Sequence, residues 1–82
     1  MTVPENLALS QAMSLAIEAA MLSPLASPRH KPEVFMHNQN QTPHQIKVRG
    51  YAFDPNFQDH FRSDVTARIL TKYEYAIDNR PL

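Results

Sequence analysis

"DVTARILTKYEYAI", residues 64–77, decides the fold. Read with period 2, Val65, Ala67, Ile69, Thr71, Tyr73, Tyr75 and Ile77 share one face. Asp64, Thr66, Arg68, Leu70, Lys72, Glu74 and Ala76 share the other. The β-branched and aromatic residues gathered on the first face fit a strand. Phe61, Val65 and Ile69 also fit i, i+4 spacing, so a helix starting near Asp59 competes with it. The Phe61–Arg68 boundary lies between the two readings. Toward the C-terminal end the alternation favours the strand, which would be the third of a small antiparallel sheet.

Upstream, "EVFMH" is short and apolar, "NQNQTP" is a polar loop, and "HQIKVRGYAF" alternates. Ile46, Val48, Gly50 and Ala52 face one way; Lys47, Arg49 and Tyr51 face the other. Together they predict a hairpin with a long connection. Gly50, the chain's one glycine, marks a bulge or a close backbone approach. Residues 54–63, "DPNFQDHFRS", read as a loop with room for one helical turn.

Residues 23–32, "SPLASPRHKP", carry Pro24, Pro28 and Pro32, which forbid a continuing helix and favour an extended linker. Residues 4–22 read as a helix. Pro4 suits a first turn and Glu5 the positive end of the dipole. Leu9, Met13, Ala16 and Ala20 follow 4-3-4 spacing with Ile17 beside them, and the alanines raise helix propensity. The expected fold is α+β over residues 1–82 as one small domain. It comprises an N-terminal helix, a Pro-rich linker, about three antiparallel strands and an extended C-terminal tail.

A chain of 82 residues has no room for a second core. Domains this small bury roughly 60–65% of their unfolded surface and usually need additional support. With no cysteine there is no disulfide framework and no thiolate metal site, which leaves association as the route to stability. Eight basic and eight acidic residues cancel, which argues against a nucleic-acid or membrane partner drawn by bulk charge. No run of 18 apolar residues provides a transmembrane helix, and the N-terminus has no basic region of a signal peptide.

Little here points to catalysis. His30, His37 and His44 recur every seven residues, but Pro32 and Pro43 interrupt the stretch, so the spacing defines no helical face. No paired Cys/His or HExxH spacing occurs, one glycine excludes a phosphate-binding loop, and Asp59-His60 with a serine lacks any nucleophile context. Residues 12–31 have a passing likeness to the first helix of zinc nucleoside deaminases. The His-x-Glu and Cys-x-x-Cys of that chemistry are missing. The expectation is a non-enzymatic chain with no cofactor and no metal. Lys47, Arg49 and Tyr51 share a strand face that reads as solvated rather than as a base-stacking surface.

The chain ends "KYEYAIDNRPL", Lys72 to Leu82. Asp78 and Asn79 can terminate a strand by bonding their own backbone, and Pro81 holds Arg80 extended. Arg80 presents a planar fork to a carboxylate, and Leu82 offers an apolar anchor. This segment resembles one found in structural proteins of tailed bacteriophages, where an aromatic strand runs into D-N-R-P-L. The resemblance covers these 11 residues and implies a virion component of baseplate, tail or fibre-attachment type, assembled in the host cytoplasm. Its partners would be other virion proteins in a symmetric homo-oligomeric setting. The expected contacts are Leu9, Met13 and Ile17 on the helix, with Tyr73, Tyr75, Arg80 and Leu82 on the last strand and tail. The alternative is a small adapter that binds one protein through the same apolar helix.

Overall fold

The computed structural model describes residues 1–36 and 43–78. Within them the order is α1 (Leu9–Leu22), β1 (Glu33–Met36), β2 (Ile46–Arg49), a 3-10 turn (Pro55–Phe57) and α2 (Gln58–Asp78). The α+β class and the hairpin are as expected. The third strand is not: residues 64–77 lie inside the 21-residue helix α2.

The helix wins for local and tertiary reasons. Asp54 accepts the Asn56 N–H at 2.9 Å, Pro55 supplies the first turn, and the 3-10 turn runs directly into α2. No glycine or proline interrupts residues 58–78, and Asp64 accepts from Arg68 Nε one turn on, at 2.8 Å. The threonines that suggested a strand are accommodated by back-bonding. Thr66 Oγ1 donates to the Arg62 carbonyl at 2.9 Å and Thr71 Oγ1 to that of Ala67 at 3.0 Å. Phe61, Val65, Ile69 and Tyr73 then form one buried line at i, i+4 spacing.

That line faces α1, whose fully buried residues are Ala12, Ala16, Ala19 and Ala20. Small side chains let the two helix backbones approach closely. The helix is shorter than the expected 4–22. Residues 4–7 form a turn closed by the Leu7 N–H on the Pro4 carbonyl at 3.1 Å, with Val3 and Leu7 buried. At its other end Ser23 turns extended and Pro24 follows.

β1 and β2 pair antiparallel from Glu33↔Arg49 to Met36↔Ile46. Single bridges continue the pairing on both sides, Thr2↔Gln45 and Ala26↔Ala52. The proline-containing segment 23–32 is therefore irregular but fastened: Ser27 N–H donates to the Tyr51 carbonyl and Phe53 N–H to that of Leu25, both at 2.8 Å. The loop expected at "NQNQTP" lies almost wholly outside the described residues. Gly50 is a close approach as expected, because a Cβ there would sit 3.0 Å from the Phe61 ring.

Candidate docking surface

Exposed apolar and aromatic surface is the feature most open to function. Phe53 and Phe57 stack with centroids 5.5 Å apart, and Phe57 lies 6.0 Å from His60. Tyr51 lies beside His30 at 4.9 Å. The turn between β2 and α2 holds the first of these groups, and the Phe57 N–H, donating to the Asp54 carbonyl, fixes its shape. Large apolar side chains are thus presented outward, while alanines form the buried face of α1.

The expected contact residues do not converge. Leu9 and Met13 are half-buried and pack on the core, and Ile17 is half-buried one turn further along α1. Tyr73 is 2% exposed, whereas Tyr75 is 69% exposed. On a strand the two tyrosines would share a face, but on a helix they point about 200° apart. Arg80 and Leu82 lie outside the described residues, and the edge strand expected to lead into them is helical.

The sequence reading missed a groove between β2 and α2. Its volume is about 510 Å³. Val48, Phe61 and Val65 line it, along with Lys47, Arg49 and Arg62. Arg49 is only loosely neutralised: Glu33 stands 4.0 Å away, and the guanidinium lies 5.2 Å from the Phe35 ring centre. The alternation of residues 46–52 is legible in the sequence, but the wall supplied by α2 is not, because the sequence reads Phe61 and Arg62 as loop and Val65 as strand.

Among the described residues two titratable groups are displaced from their ordinary values, both in structural positions. Hydrogen bonds from Ser23 and then Arg68 hold the Asp64 carboxyl below its usual value. Burial pushes the Tyr73 phenol up to about 12. Among the described residues no group of three or more His, Cys, Asp or Glu side chains could hold a metal ion, and no helix is long and apolar enough to cross a membrane. Comparison with protein-family models, with curated proteins and with solved structures finds no match to this chain.

Proposed function

We propose that this chain is a non-enzymatic structural component of a tailed-phage virion, at the baseplate, tail or a fibre attachment. It would be held there in several copies by protein–protein contacts. One observation supports an assembly role above the others, an inversion of side-chain size. Five of the twelve buried hydrophobic residues described are alanines, while Met21, Leu22, Phe35, Tyr51, Phe53, Phe57, Leu70 and Tyr75 are exposed. A small core with large apolar groups outside is what association would complete. The virion setting itself rests on the likeness of Lys72–Leu82 to tailed-phage structural proteins. The adapter alternative has less surface to use, because α1 gives its fully buried face to α2.

Sedimentation and melting of the purified chain test this. The expected result is a concentration-dependent oligomer, together with recovery of the chain from purified particles by mass spectrometry. A monomer with a cooperative, concentration-independent melt, missing from particles, overturns the reading.

A further inference from the structure

The outer edge of β2 is paired at both ends and open in the middle. Along an antiparallel strand, the backbone groups of alternate residues point to opposite edges. Ile46 exchanges both of its bonds with Met1, accepting the terminal ammonium at 2.7 Å and donating to the Met1 carbonyl at 2.9 Å. Even-numbered residues therefore face away from β1. The His44 carbonyl takes the Val3 N–H at 2.8 Å. Beyond, Gln58 caps the edge: its Nε2 donates to the Gly50 carbonyl at 3.1 Å, and its Oε1 accepts the Ala52 N–H at 2.9 Å. Between these two caps the Val48 N–H, the Val48 carbonyl and the Gly50 N–H have no partner among the described residues. Residues 47–50 are thus about 13 Å of strand edge without a neighbour.

This edge opens onto the β2–α2 groove. Lys47, Arg49 and Arg62 line it, the Arg49 guanidinium being drawn toward Glu33 and the Phe35 ring on β1, and no carboxylate lines the cavity. The floor beside Val48 is apolar, made by Phe61 and Val65. We infer that the groove accepts an extended acidic segment of a partner protein, added as a strand on the outer edge of β2. Main-chain bonds to Val48 and Gly50 would supply affinity, and alternate side chains specificity. Apolar residues of the segment meet Val48, Phe61 and Val65, and carboxylates meet Lys47 and Arg62. A nucleic acid would satisfy the cations, but it offers no peptide groups in register with the open edge. The inference names the chemistry of one partner within the assembly reading, and rests on that reading only in taking the partner to be a protein.

The test uses the full isotope-labelled chain and a short, end-blocked peptide alternating glutamate and valine. The peptide is expected to shift the Val48 and Gly50 amide resonances and to slow their hydrogen exchange. A lysine–valine peptide, and a glutamate–valine peptide with N-methylated backbone, are expected to bind far more weakly. Lys47→Glu combined with Arg62→Glu, both at exposed positions, should weaken binding roughly tenfold at low salt and remove most of its salt dependence. Equal binding of the glutamate and lysine peptides, unchanged Val48 and Gly50 amides, or preferential binding of a single-stranded oligonucleotide would each overturn the inference. None of these outcomes depends on whether the chain is found in particles, so the two readings fail separately.

Discussion

The hydroxyl of Tyr73 donates to the carbonyl of Ala12 at 3.0 Å, tying the buried faces of the two helices through residues 61 positions apart in sequence. Burial raises the phenol to about 12, above its ordinary value of 10.0. As pH rises past 10 the unfolded chain releases this proton first, so stability is whole below 10 and falls as pH approaches 12. Tyr73→Phe should cost about 1 kcal/mol at neutral pH and flatten that alkaline decline. Urea melts of both proteins across the alkaline range check this.

Asp64 gives the opposite sign. Its carboxylate accepts from the buried Ser23 Oγ at 2.6 Å and from Arg68 Nε at 2.8 Å, which holds it below the ordinary value of 3.8. The contribution is present above that value and is lost as pH falls through the lower, folded one. Ser23→Ala should cost about 1–2 kcal/mol at neutral pH and move the acid unfolding midpoint upward. An acid titration followed by circular dichroism would contradict this if the two midpoints coincide.

Gly50 sets the distance between β2 and α2. A methyl at this position would stand 3.0 Å from Cε2 and Cζ of Phe61, a ring only 5% exposed. The ring has little room to yield, so Gly50→Ala should destabilise by about 1–2 kcal/mol. Thermal melting measures it, with Lys47→Ala as an exposed control that should stay within about 0.5 kcal/mol.

Ala16 is fully buried on the face that α1 turns to α2. Ala16→Leu should cost about 1–3 kcal/mol by forcing the helices apart, although leucine is a good helix former. Leu70, 54% exposed, should accept serine with little change. Similar melting points for the two variants would show that the helix interface is loosely packed.

The hairpin was legible because residues 46–52 alternate and are bounded by polar loops. The last element was not, and the reason is arithmetic. Four is a multiple of two, so Val65, Ile69 and Tyr73 belong equally to an alternating strand and to a helical i, i+4 line. Length separates the two readings: fourteen residues is far beyond an ordinary strand. Phe61 extends the line backward, and the Asp54–Pro55 start supplies the helical entry. For α1, spacing identified the helix and two of its buried residues, Ala16 and Ala20, but placed the half-buried Leu9 and Met13 on the same stripe and left out Ala12 and Ala19. Which stripe goes inside depends on how closely α2 approaches, and that is not written in α1. The groove was illegible because the wall from α2 reads in sequence as loop up to Arg62 and as strand from Val65.

The alanine face of α1 has a consequence for the order of events during synthesis. Alanines bury little area among themselves, so α1 gains its partner only when Phe61 to Tyr73 emerge. Met1 likewise has no partner until Ile46, 45 residues later, has been made. These contacts are distant in sequence, so the helix pair cannot form until α2 has been synthesised. Nascent chains halted before residue 58 should remain protease-sensitive, and protection should appear in one step once α2 is complete.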